Sequence, residues 1–144
     1  MKDDADNRRA EQSPGTEGVR LFNKRDYKAA ERFWSANYIQ HSAHIPPGRD
    51  GLFGLIRNVP ATLRYEPGVI LAGKDLVIVH GRFSGIGRPR NWIAADVVRI
   101  ADGVLVEHWD VIQDEATREE SQSGLPMFGG EFPSTGETSA RSRS

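Results

Sequence analysis

The chain of 144 residues contains no cysteine, which excludes disulfides, thiolate catalysis and cysteine-ligated zinc or iron–sulfur centres. It has no apolar run near the roughly 20 residues that a bilayer span needs. Its first nine residues lack the apolar stretch of a signal peptide. An excess of one charge is missing as well: 19 Lys and Arg stand against 20 Asp and Glu, a formal net charge of -1. That balance calls for neither nucleic acid nor an anionic membrane as partner. The expectation is a cytoplasmic protein with one domain large enough to bury a core. No internal repeat is present.

What the chain does have is a change of period. Residues 1–15 are polar, and Ser13-Pro14-Gly15 interrupts any helix across them, so they read as a disordered or loosely attached segment. One domain is expected over 16–128, with the Gly/Ser/Thr-rich 129–144 as a disordered tail. From Thr16 an amphipathic pattern (Val19, Leu21 and Phe22, then Tyr27, Ala30, Phe33, Trp34 and Tyr38) fits two short helices broken near Asn23–Asp26, with Asp26 as N-cap of the second. A third helix is expected over Arg49–Asn58, ending before Pro60. After Pro60 the pattern alternates, and Leu63–Leu71, Leu76–Phe83, Trp92–Ile100 and Val104–Gln113 read as four strands. Helices first and a meander of strands afterwards predict an α+β fold. Ala101-Asp102-Gly103 is a tight hairpin signal, making the last two strands antiparallel neighbours.

The last strand carries polar groups where apolar ones belong. Side chains on a strand alternate faces, so Val104, Val106, His108, Asp110 and Ile112 share one. A histidine and a carboxylate two residues apart on such a face are costly to bury without a purpose, and they are the pair that proton transfer uses. Pairing about the hairpin can set Asp96 on the side of His108. The second strand offers His80 with Arg82 on one face. Three neighbouring strands then aim ionisable groups into one partly apolar cavity, the pattern of an acid–base or ligand site. The opposite faces (Val77, Val79, Phe83, Val97, Leu105, Trp109, Val111) are too apolar to meet water, and a symmetric partner chain is the expected cover. Taken singly, each His or Asp is more often a structural residue; the coincidence across strands carries the site reading.

Tyr38-Ile39-Gln40-His41, then Pro47-Gly48-Arg49-Asp50-Gly51-Leu52, Val79-His80, Asp96-Val97-Val98-Arg99-Ile100, Asp102-Gly103 and Glu107-His108-Trp109-Asp110-Val111-Ile112-Gln113 closely resemble the SnoaL-like branch of the nuclear transport factor 2-like (NTF2-like) superfamily. The closing Pro126-Met127-Phe128 looks like the usual end of such chains, and the likeness covers about residues 19–128. It implies a cone-shaped α+β barrel in which a curved antiparallel sheet wraps around N-terminal helices, encloses a deep pocket and forms a homodimer through its outer face. The family includes polyketide cyclases that perform an intramolecular aldol condensation with a pocket carboxylate as acid–base. The matching pocket positions are His80, Asp96, His108 and Asp110, with Tyr38 and His41 near the mouth. Pro14-Gly15 departs from the family's usual long first helix.

Aldol cyclisation requires a proton to leave carbon beside carbonyl groups, an enolate to be stabilised and the new alkoxide to be protonated. A carboxylate in a pocket walled by Trp34, Trp92 and Phe53 is desolvated and therefore a better base. Asp96 or Asp110 is the expected base, with Asp96 preferred for its apolar neighbours. His108 is its partner, and His80 or Tyr38 is the donor to a substrate oxygen. A small hydrophobic carbonyl compound is the expected ligand, and this chemistry needs no organic cofactor or metal. His41-x-x-His44 has metal-ligand spacing, but Pro46-Pro47 follow at once with no further ligand nearby. Ser84-Gly85-Ile86-Gly87 resembles a phosphate loop only superficially, since it joins antiparallel strands. The competing reading is a non-catalytic dimer that binds a small molecule in the same cavity.

Overall fold

In a computed structural model, which describes residues 23–133, the chain runs α1 (Tyr27–Glu31), β1 (Trp34–Gln40), α2 (Gly48–Asn58), β2 (Arg64–Gly73), β3 (Leu76–Ser84), β4 (Trp92–Ala101) and β5 (Val104–Asp114). The strands form one curved sheet in the order β1-β5-β4-β3-β2. The β2–β3, β3–β4 and β4–β5 pairs are antiparallel, and β1 lies parallel to β5. The sheet is therefore mixed, and the expected helix over 16–22 lies outside the described residues. The α+β class holds.

One expected helix proves to be mostly strand. Asp26 does cap α1, its Oδ1 accepting from Ala29 N at 3.1 Å. The helix ends at Glu31, however, and Trp34–Gln40 runs as β1. Trp34 and Tyr38 are four residues apart, which puts them on one face of a helix and equally on one face of a strand. Pairing with β5 decides between the two, and both side chains are buried. Helix α2 follows its expected span; Val59, extended ahead of Pro60, closes it with Val59 N donating to Leu55 O at 3.1 Å. The helix packs Leu52, Phe53 and Ile56 into the core, with Phe53 edge-on to Trp34 at 6.0 Å between ring centres.

The β4–β5 hairpin turns on two residues, Asp102 (φ 52) and Gly103 (φ 77), both left-handed as a type I′ turn requires. Continued without interruption, that turn would set Asp96 opposite Trp109. The observed register slips by one residue between Arg99 and Ile100: Ile100 pairs with Leu105, but Arg99 pairs with Glu107. Val106 is thus the extra residue of a β-bulge, and everything beyond it on β5 changes face. Leu105, expected outside, is buried inside, and His108 and Asp110 come round to the face of Asp96.

Strand β3 also presents the face opposite to the expected one. Val79 pairs with Asp96 and His80 with Ala95, so Val77, Val79 and Phe83 look inward while His80 and Arg82 look outward. The seven-residue connection 85–91 does not fix a register, unlike a two-residue turn. Tyr65 lies directly over Gly81, where a Cβ would collide with its ring. On the outside, the segment after β5 folds back over β2 and β3. Arg82 pairs with buried Glu115, its Nε 3.0 Å from both carboxylate oxygens, and stacks on Phe128 at 4.8 Å. His80 also meets Phe128, at 5.7 Å.

A second ion pair, Arg90–Glu120, ties the β3–β4 loop to that segment. The guanidinium, helped by the Thr117 amide, holds the Glu120 carboxyl down at about 2 against its ordinary 4.5. A depressed folded-state value stabilises the fold fully above the ordinary one, and the contribution is lost as pH falls toward about 2. Glu120→Gln should therefore lower the melting temperature at pH 7, with the gap to the parent closing progressively below about pH 4.5. Thermal melts of both proteins across that range check this; a gap independent of pH would contradict it.

Candidate active site

The concave face of the sheet, α2 and the segment after β1 enclose a cavity of about 180 Å³. One water needs roughly 10–15 Å³ by this measure, so the space takes on the order of a dozen heavy atoms. Its wall is aromatic and aliphatic, with Trp34, Leu52, Ile56, Phe83, Trp92 and Leu105 among the lining residues. Among the described residues, the ionisable groups that line it are Asp96, His108 and Asp110 from adjacent strands, His44 at one side, and the phenols of Tyr38 and Tyr65. No Lys or Arg lines it among the described residues.

Asp96 and Asp110 are direct cross-strand partners, and His108 lies one inward rung along, opposite Val98. Like charges placed directly opposite destabilise a sheet, so the pair needs a proton or a cation close by. His108, 7% exposed, supplies it: its Nε2 is 2.7 Å from Asp96 Oδ1, and its Nδ1 is 2.6 Å from Gln40 Oε1. The Gln40 oxygen also accepts from Ser42 N at 2.9 Å, which fixes the amide's orientation. An oxygen facing Nδ1 requires the proton to sit on Nδ1. Nε2 and the Asp96 carboxylate then share one further proton, as imidazolium with carboxylate or as imidazole with carboxylic acid. Asp110 has no such tether among the described residues. The arrangement can therefore deliver a proton from the His108–Asp96 pair and accept one at Asp110.

One nitrogen and two carboxylate groups, with ligand atoms all within 4.8 Å of one another, also suit a divalent cation. To be bound, an ion would have to replace the proton already bridging His108 and Asp96.

Tyr38 stands on β1 with its ring stacked on that of His108 at 6.5 Å and 24°. Burial pushes its hydroxyl well above the ordinary phenol range, with Trp34 and Gln40 beside it pulling the other way. It is a donor at every working pH. Tyr65 is likewise pushed up by burial.

Of the residues expected at the site, Asp96, His108, Asp110, Trp34, Tyr38 and Trp92 line the cavity together. His80 does not, for the register reason given above. His41 is on the outer face, stacked flat on Trp109 at 4.9 Å and bonded to Glu107 at 2.7 Å, because it alternates with inward Gln40. Phe53 is behind the wall, buttressing Trp34. Gln40 and Ser42 join the site without a sequence signal of their own; Gln40 shares Tyr38's parity, which is legible only once 34–40 is a strand.

The model of the SnoaL-like domain family matches residues 16–108. The chain belongs to the SnoaL-like family. No curated protein sequence matches it. Among solved structures, the SnoaL-like fold recurs in AclR of Streptomyces galilaeus, described as a hydroxylase (24% identity, TM-score 0.56, covering 69% of this chain and 76% of that one). It recurs in a Bacillus cereus protein described as a polyketide cyclase (19%, TM-score 0.61, 69% and 72%). A Kribbella flavida protein described as a ketosteroid isomerase shares it over 83% of this chain and 93% of its own, at 12% identity and TM-score 0.65. These likenesses concern the fold.

Removing His108 from this cluster leaves two carboxylates facing each other. His108→Leu should destabilise by about 3 kcal/mol, whereas His108→Leu with Asp96→Leu should recover most of that loss, since an apolar pair replaces a buried ionic one. Urea unfolding of the three proteins measures it; equal losses in the single and double variants would contradict the pairing.

Proposed function

We propose that the protein is a cofactor-independent acid–base enzyme that closes a ring, or shifts a proton, in a small hydrophobic carbonyl compound. The observation that carries this reading is a carboxylate without a hydrogen-bond partner among the described residues and a hydrogen-bonded His–carboxylate pair, facing each other across an aromatic-walled cavity. Asp110 takes the base role. Asp96 is already engaged by His108, so the earlier preference for Asp96 gives way.

In the proposed cycle the Asp110 carboxylate removes the proton from carbon next to a carbonyl group. Tyr38 donates to the enolate oxygen. The enolate carbon attacks a second carbonyl of the same molecule, forming the carbon–carbon bond, and the His108–Asp96 pair protonates the resulting alkoxide. Asp110 has gained one proton and the pair has lost one; because Asp96 and Asp110 are cross-strand neighbours, transfer between them restores the starting state. Isomerisation uses the same parts without the bond-forming step. The names of the cyclase- and isomerase-like neighbours agree with this class of chemistry.

The base is testable without the natural substrate. Deuterium wash-in at the α-carbon of 2-tetralone should be accelerated by the parent protein, survive exhaustive chelation, and fall by about 10²-fold or more in Asp110→Asn. Asp110→Asn should still bind 2-naphthol, the oxygen-bearing analogue of the enolate. Unaltered exchange in Asp110→Asn would sink the assignment; loss of binding with no exchange in the parent would favour the non-catalytic reading.

The partner reading is a second copy of the chain docked on the outer sheet face. Leu71, Ile78 and Val111 are exposed there, Val111 at 74%, and an apolar strip of that kind favours an isologous contact. Val111→Lys should convert a dimer to a monomer in sedimentation equilibrium, and a parent that sediments as a monomer would remove the proposal.

A further inference from the structure

Asp96, His108 and Asp110 hold one imidazole nitrogen and two carboxylate groups with their ligand atoms all within 4.8 Å of one another. Ligands at about 2.1 Å from an ion stand about 3.0–3.4 Å apart in octahedral or tetrahedral geometry. The edge between His108 Nε2 and Asp96 Oδ1, at 2.7 Å, is already close to that spacing. The two carboxylates are direct cross-strand partners on the concave face, so both can turn to one ion. A second feature lies outside the cluster. A histidine that binds a metal through one ring nitrogen gives its other N–H to a fixed oxygen. His108 is held in that way: Nδ1 faces Gln40 Oε1 at 2.6 Å, that oxygen also accepts from Ser42 N at 2.9 Å, and Nε2 is left to the carboxylates. The cavity lies against all three groups and leaves room for further ligand atoms, and no Lys or Arg lines it among the described residues to compete for the carboxylates.

We propose that Asp96, His108 and Asp110 are also a binding site for a divalent transition-metal ion, and that the bound ion switches the acid–base cycle off. One imidazole with two carboxylates suits Mn²⁺, Fe²⁺, Co²⁺ and Zn²⁺ better than Ca²⁺ or Mg²⁺, which take oxygen ligands. On binding, the proton shared by Nε2 and Asp96 leaves to water, and the three side chains each donate a lone pair to the ion. Asp110 is then a ligand instead of a base, and the His108–Asp96 pair has no proton to deliver. Three protein ligands leave the ion at least one position open to the cavity. The switch rests on the acid–base reading of the cavity; the metal site itself does not, because binding is measured without turnover.

The experiment titrates Co²⁺ into the chelator-stripped full chain and follows its visible d–d absorption, with the heat of Zn²⁺ binding as a second readout. The parent should bind one ion per chain. His108→Gln and Asp110→Asn should each weaken binding by about a hundredfold or more, and Gln40→Met by about tenfold. His41→Gln, which alters a histidine–carboxylate contact on the outer face, should bind as the parent does. If His108→Gln does not fold, Asp110→Asn, which leaves the His108–Asp96 contact in place, decides the matter. A parent that forms no one-to-one Co²⁺ complex, or an Asp110→Asn variant that binds Co²⁺ as tightly as the parent, would overturn the site. Stoichiometric Zn²⁺ should stop 2-tetralone exchange, and excess chelator should restore it. Exchange undiminished in protein shown to hold Zn²⁺ would overturn the switch. A parent with no exchange at all removes the acid–base reading and the switch with it, while the Co²⁺ titration still decides the site.

Discussion

A single extra residue in β5 decides which face of the sheet carries chemistry. The type I′ turn at Asp102-Gly103 alone would set His108 and Asp110 against the outside while Asp96 looked in. The bulge at Val106 moves the register by one, and the three groups come together on the concave side. Everything else about the cavity follows from that slip. Leu105 turns in to close the floor, Glu107 turns out to meet His41 and Arg99, and Asp110 arrives opposite Asp96.

Once placed there, the groups cannot be independent. Two carboxylates on one rung, walled by aromatic side chains and without a Lys or Arg lining the cavity among the described residues, repel each other unless a proton lies close by. His108 holds that proton against Asp96, and Gln40, locked by the Ser42 amide, holds His108. The chain of contacts runs from backbone to amide to imidazole to carboxylate, so the orientation of a proton is set by the parallel pairing of β1 with β5. The same strand brings Tyr38 over the imidazole. Strand β1 therefore does more than cover an edge: it supplies the orientation that β4 and β5 lack.

Much of this was legible in the order of residues, and the parts that were not share a cause. The hairpin at Ala101-Asp102-Gly103 and the polar intrusions at Asp96, His108 and Asp110 identify the neighbouring strands and the groups that matter, because turn chemistry and the cost of burying charge are local properties. Register is not local. His80 reads as inward because the loop 85–91 is long enough to permit either face. Leu105 reads as outward because a bulge has no signal of its own. The stretch from Trp34 to Tyr38 reads as helix because both residues satisfy both periods, and that reading hides the inward parity of Gln40; the place of His41 at the mouth of the cavity is implied by the family resemblance alone. Each of these depends on a partner strand far away in sequence.

The account is tested most directly by a crystal structure of the protein with 2-naphthol bound. It predicts the ring system inside the cavity, the oxygen within hydrogen-bond reach of Tyr38, and the carbon beside the oxygen-bearing one about 3.5 Å or less from an Asp110 oxygen. A ligand seated on the convex face, or lying in the cavity with its oxygen turned away from Tyr38 and its rings remote from Asp110, would contradict it.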